Sequence, residues 1–196
     1  MPREIETARL VLRCWRGEDA VELLPILEAN WGHLSPWIPH RVAQPVPVEE
    51  LRDRLQGNAD RFAEDREWRY AMRARDTGRL LGEVSLFPRS ATGRVALGES
   101  DRAELGYWMR VDETGRGLVT EAVEALIAAA GRIPRFTLLE IRCDERNVAS
   151  AAIPRRLAFT LAATLESTGV RPEDGVVQLQ LWVRPMTQAE SREAAT

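Results

Sequence analysis

Only two cysteines and two histidines occur in the 196 residues. Cys14 and Cys143 lie inside the apolar runs LVLRCW and LLEIRC, where a cysteine behaves as a small buried hydrophobe, so no disulfide framework is expected. His33 and His40 come without CxxC, HExxH or a neighbouring carboxylate pattern, so no metal site is expected. Neither sign of charge dominates: 27 basic residues face 30 acidic ones for a net charge of -3, which removes the basic footprint of a nucleic-acid binder. No apolar run is long enough to span a bilayer, and MPREIETARLVLR puts charges where a signal peptide needs its apolar region. These absences predict a soluble, cytoplasmic protein with no membrane partner. Internal repeats and low-complexity linkers are also missing. With 44% hydrophobic residues, the chain suits one domain over 1–185 and a frayed tail over 186–196.

What is present alternates between strand and helix patterns. Thr7 to Trp15 reads as a strand, and Glu18 to Asn30 as a helix that Pro25 kinks or splits. Trp31 to Pro47 holds Gly32 and four prolines, which predicts an irregular connection. Pro47 to Arg66 has the spacing of an amphipathic helix. Trp68–Arg73 and Leu80–Phe87 form a hairpin across ARDTGR, and Arg102–Met109 returns as another strand after a polar loop. A helix over Leu118–Ile133, a strand over Phe136–Cys143, a short helix over Ala149–Leu157 and a hairpin of Phe159–Leu165 with Val176–Val183 complete the chain. Strand, crossover helix, strand implies a parallel pair within an otherwise antiparallel sheet, an α/β mixed architecture.

Two motifs carry chemistry. ELGYWMRVDETGRGLVTEA, Glu104 to Ala122, runs from an aromatic strand through two glycines into a helix. Such a turn aims amides and the positive end of a helix dipole at one place, where an anion can sit. It is neither a P-loop nor a complete GxGxxG, and alone it is more commonly a plain helix start. The second motif is Asp144 to Ser150, in which Asn147 serves as a helix N-cap or a ligand contact. Both helix starts fall at the carboxyl ends of the parallel strands, so the motifs converge on one site. Pro154 withholds the amide that would bond the Ser150 carbonyl, which predicts a distorted first turn with the Ser150 hydroxyl able to face the cleft.

Six ordered segments, ETARLVLR, HLSPWIP, LLGEVSLF, ELGYWMR, TGRGLVTEA and NVASAAIPRRLAF, resemble the GNAT superfamily of acyl-CoA-dependent N-acyltransferases. The nearest branch is that of ribosomal-protein N-terminal acetyltransferases and their small-molecule-modifying relatives. The resemblance implies a GNAT fold: about seven strands, mostly antiparallel, with a splayed parallel fourth and fifth pair and about four helices. It implies acetyl-CoA or another acyl-CoA as cosubstrate, an amine acceptor that is a small molecule or a protein N-terminus, and often a homodimer. Met109 and Val111 would offer backbone groups to the pantetheine, and Gly115, Arg116, Gly117, Leu118, Val119 and Thr120 would hold the pyrophosphate. Asn147 and Ser150 match the family's NxxS, where asparagine contacts the cosubstrate and serine protonates the leaving thiolate. The chain departs from the family's [QR]xxGx[GA] pattern at Thr114 and Val119, and Ala158 replaces the usual glycine of LGF.

An amine must lose a proton to attack a thioester, so a carboxylate in the cleft is expected to act as base. Glu104 is the first candidate and Glu83 the next, each with the alternative of a salt-bridged strand residue. A backbone N–H near Met109 would meet the oxyanion. Trp37 and Trp108 are the acceptor-side aromatics, with packing as their alternative role. The expected reaction is direct attack in a ternary complex. A degenerate acyl-CoA-binding module and an unrelated phosphate-binding protein are the competing readings.

Overall fold

The computed structural model describes residues 1–186. In chain order the elements are β1 (Glu4–Glu6), β2 (Leu10–Cys14), α1 (Ala20–Leu34), α2 (His40–Ala43), α3 (Val48–Ala63), β3 (Trp68–Ala74), β4 (Leu80–Arg89), β5 (Arg102–Met109), α4 (Leu118–Ala130), β6 (Leu138–Asp144), α5 (Val148–Arg156), β7 (Thr160–Thr168) and β8 (Val176–Pro185). All eight strands share one sheet in the order β1-β2-β3-β4-β5-β6-β8-β7. Only β5 and β6 run parallel, and α4 is the crossover between them. Among the described residues no helix is long and apolar enough to cross a membrane.

Strand register sorts the side chains onto two faces, because cross-strand neighbours share a face and successive residues alternate. Tyr70, Val84 and Tyr107 lie in register on one face, as do Trp68, Leu86, Leu105 and Ile141. This face packs on α4 and α5 through Leu118, Ala122, Val123, Leu126, Ala151 and Ile153. Full burial of one such aliphatic side chain stabilises the fold by about 1.5–3 kcal/mol. The opposite face carries Ala71, Glu83 and Trp108 in register and is covered by α1 and α3 through Leu23, Leu27, Leu51 and Leu55. Beyond that cover the same face continues into Arg69, Ser85, Phe87, Glu104 and Glu140. Every one of the 27 basic residues is an arginine.

The mixed sheet with one parallel pair is as expected, with eight strands for about seven and five helices for about four. The extra strand is β1, which pairs with β2 ahead of the predicted first strand. Pro25 neither splits nor ends α1: Pro25 and Val21 are both exposed, so the Val21 carbonyl that lacks an amide partner faces water. The connection expected to be irregular extends α1 to Leu34 and adds α2, whose single turn is closed by Val42, Ala43 and Gln44 amides bonding to Pro39 and His40. Met186 belongs to the folded part, its N–H donating to the Thr137 carbonyl at 2.9 Å. The rest of the predicted tail, 187–196, lies outside the described residues.

Ala158 follows the end of α5 with φ +59°, the left-handed region that favours glycine. The Phe159 N–H closes on the Pro154 carbonyl at 2.9 Å, the long bond of a Schellman cap whose strained position is Ala158. Ala158→Gly is expected to stabilise the protein by about 1 kcal/mol, raising the melting temperature by about 2–4 °C in a calorimetric scan. An unchanged or lower midpoint would show that the alanine carries no strain.

Candidate functional site

The parallel ladder is short. β5 and β6 pair from Arg102↔Leu138 to Leu105↔Ile141 and then part. Beyond that point β6 stays paired with β8 as far as Asp144, and β5 stays paired with β4 as far as Met109. A cavity of about 700 Å³ is lined from both faces of the sheet at this gap: Tyr107, Cys143 and Ser150 from one face, Glu104, Gly106 and Arg142 from the other. That volume lies in the usual range for small-molecule sites. The Arg110 N–H donates to Leu81 on the β4 side, so strand alternation turns the Met109 N–H toward the gap.

At one end the cavity reaches the glycine turn. Gly115 and Gly117 both have φ +75°, a conformation that costs other residues roughly 1–2 kcal/mol. Gly117 is the N-cap of α4. Among the described residues, none of the amides from Gly115 to Thr120 donates to a protein acceptor, and the buried Thr120 Oγ1 has no partner. Six free amides, a helix start and an orphaned hydroxyl form a cradle for an anion, which fits the phosphates of a nucleotide-bearing cosubstrate. Leu118 is buried beneath the turn, and Val119 packs its bulk partly into the core.

Several residues without a sequence signal hold this turn. Asn30 of α1, buried, donates to Ile26 O and accepts the Val111 N–H at 2.8 Å. The buried Glu113 carboxylate pairs with Arg79 and Arg116. Arg9 bonds the Arg116 carbonyl at 3.0 Å and, with Thr7, the Glu121 carboxylate. Burial would raise the Glu121 pKa, but those hydrogen bonds outweigh it and hold the carboxyl below its ordinary value. Val111 itself is not on the cavity wall: its N–H is taken by Asn30, its carbonyl accepts from Thr114, and its side chain is exposed.

In the gap, Asn147 caps α5 by accepting the Ser150 N–H at 3.0 Å. The Tyr107 hydroxyl donates to the Ser150 carbonyl at 2.9 Å and accepts from Ser150 Oγ at 3.3 Å. Burial pushes the Tyr107 hydroxyl well above the usual phenol range, so it stays protonated at neutral pH. Burial likewise raises the Cys143 thiol, against hydrogen bonding with Ser150 and Trp182. Tyr107 was absent from the sequence-based candidates because its hydroxyl acts across the sheet gap, a relation no spacing encodes.

The other end of the cavity is the polar face. Glu83 accepts from Trp15 Nε1 and from Arg69, each at 2.8 Å, and is buried. Both oxygens of Glu104 are engaged, one by Arg89 and the other by Arg94 at 2.9 Å. Glu140, 1% exposed, is surrounded by Arg89, Arg102 and Arg142. The guanidinium groups of Arg69 and Arg94 also lie over the Phe87 ring. Trp37 lines this lobe. Trp108 does too, but mostly as packing; it is 5% exposed, and its indole N–H has no acceptor among the described residues. His33 sits on the same wall and the His40 ring packs at a tilt against Trp31; no group of three potential metal ligands occurs among the described residues.

Residues 9–160 match the family described as acetyltransferase (GNAT) domain. "Probable N-acetyltransferase YjcK" of Bacillus subtilis (strain 168) is 26% identical over 141 residues, 72% of this chain and 75% of its own length. Among solved structures, RimL, a ribosomal L7/L12 alpha-N-protein acetyltransferase in complex with coenzyme A, has a TM-score of 0.80 at 20% identity, covering 94% of this chain and 99% of its own. MccE, the microcin C7 self immunity acetyltransferase in complex with acetyl-CoA and AMP, has a TM-score of 0.79 at 18% identity, covering 94% and 97%. At such identities the two structures speak for the fold alone. The family match takes in the sheet gap, the glycine turn and α5 together, and on it the chain belongs to the GNAT acetyltransferases and is an N-acetyltransferase.

Proposed function

We propose that this chain moves an acetyl group from acetyl-CoA to a primary amine, on a protein N-terminus or a small molecule, by direct attack in a ternary complex. One observation carries the reading: a single cavity joins the anion cradle to the polar lobe through the gap between β5 and β6. Acetyl-CoA supplies an acetyl thioester, whose carbonyl carbon is open to an amine. The amides of Gly115 to Thr120 and the Thr120 hydroxyl would hold the pyrophosphate. Arg156, exposed and with no ion pair among the described residues, lines the same end and adds charge.

The chemistry then falls to four groups. The Met109 N–H, turned into the gap, meets negative charge growing on the acetyl oxygen. Glu104 takes the proton that the amine nitrogen gives up as it bonds to the acetyl carbon; an ionised carboxylate has about four acceptor sites, so its two arginines leave room. As the C–S bond breaks, the Ser150 hydroxyl turns its proton from Tyr107 to the sulfur, gives it up and recovers one from solvent. Asn147 keeps that serine in place. A covalent acyl-enzyme is disfavoured because burial keeps Cys143, the cysteine on the cavity wall, as a thiol.

Glu83 accepts from Trp15 and Arg69 on the wall of the same lobe. Trp37 and Trp108 supply apolar wall.

Two measurements check this reading. Thr120→Val is expected to weaken coenzyme A binding by roughly tenfold in calorimetric titration, the worth of a charge-assisted hydrogen bond, with the melting temperature of the free protein unchanged. Equal affinity would remove Thr120 from the phosphate site. Glu104→Gln is expected to lower kcat/KM for the amine by about 10²-fold without altering coenzyme A affinity; a loss below about threefold would leave Glu104 as an ion-pair partner of Arg89 and Arg94.

A further inference from the structure

In an α-helix the amide of residue 154 would close on the carbonyl of residue 150, but position 154 is a proline. The Ser150 carbonyl is therefore without its helical partner inside a half-buried site. A buried carbonyl left unpaired costs about 1–3 kcal/mol. The Tyr107 hydroxyl supplies the missing donor at 2.9 Å. Because that phenol oxygen still has lone pairs, it also accepts the Ser150 hydroxyl at 3.3 Å. With the Ser150 N–H on Asn147 at 3.0 Å, all three polar groups of this serine are fixed, two of them by one tyrosine. Tyr107 sits two residues beyond Leu105, the last β5 residue paired with β6, so it reaches α5 where the strands have just parted.

We propose that Pro154 and Tyr107 act as a matched pair: the proline frees the Ser150 carbonyl, and the tyrosine takes it, tying the first turn of α5 to β5 and holding Ser150 Oγ on the wall of the gap. Tyr107 is thus a positioning residue for Ser150. The link between strand and helix stands on its own geometry; its effect on turnover rests on the proposed role of Ser150 as proton donor.

A double-mutant cycle tests the pair. Tyr107→Phe removes only the hydroxyl and is expected to lower the melting temperature by about 2–4 °C. In the Pro154→Ala background the new amide can reach the Ser150 carbonyl, so the same tyrosine change is expected to cost at most about a quarter of that. Equal losses in both backgrounds would overturn the pairing. In steady-state assays Tyr107→Phe is expected to lower kcat about tenfold, with KM for acetyl-CoA and for the amine each within about twofold. If Ser150→Ala lowers kcat while Tyr107→Phe leaves it unchanged, the positioning role falls and the proton-donor reading stands. If Ser150→Ala itself has no effect, the proton-donor reading falls, and the melting-temperature cycle alone decides the link.

Discussion

The architecture depends on a β-ladder that stops early. Four pairs hold β5 to β6, and beyond Leu105 and Ile141 each strand keeps only its outer neighbour. Ending a ladder inside a sheet leaves backbone groups without partners, a cost proteins accept only where something else meets them. Here the opening is flanked by two helix starts, spanned by the Tyr107 hydroxyl, and extended into a cavity that joins the two faces. The same interruption that weakens the sheet makes a passage from one face to the other. The anion cradle and the polar lobe lie on opposite sides of the sheet, and this cavity joins them.

On the polar side the strand face is an alternation of carboxylates and guanidinium groups: Glu83 with Arg69, Glu104 with Arg89 and Arg94, Glu140 with Arg89, Arg102 and Arg142. Removing one member of such a buried set strands its partners, so the lattice is rigid in composition even where it adds little net stability. Arginine suits it because a planar guanidinium can bridge two carboxylates and stack on Phe87 at once. The result is a stiff floor of three carboxylates and five guanidinium groups on this face of the sheet.

Much of this was readable from residues alone. The period-two patterns of Arg102–Met109 and the helical stripe after Leu118 placed the strand and helix that frame the gap, because both are set by local spacing and one buried face. Gly115 and Gly117 could be flagged because a left-handed backbone demands glycine. Asn147 was legible as a cap, and Pro154 as the source of a freed carbonyl. What spacing could not reach was partnership across the chain: Asn30 on Val111, Arg79 on Glu113, Tyr107 on Ser150, each joining residues far apart in sequence. For the same reason the salt-bridged alternative for Glu104 could be stated without its partners, which are Arg89 and Arg94.

The exclusive use of arginine has a consequence beyond geometry. Acyl thioesters react with free amines, and a guanidinium, protonated at all working pH values, is a poor nucleophile where a lysine ammonium can lose its proton. With no lysine, the chain has no side-chain amine to acylate. A catalyst that handles reactive acetyl donors is thereby built without a side-chain amine of its own to acetylate.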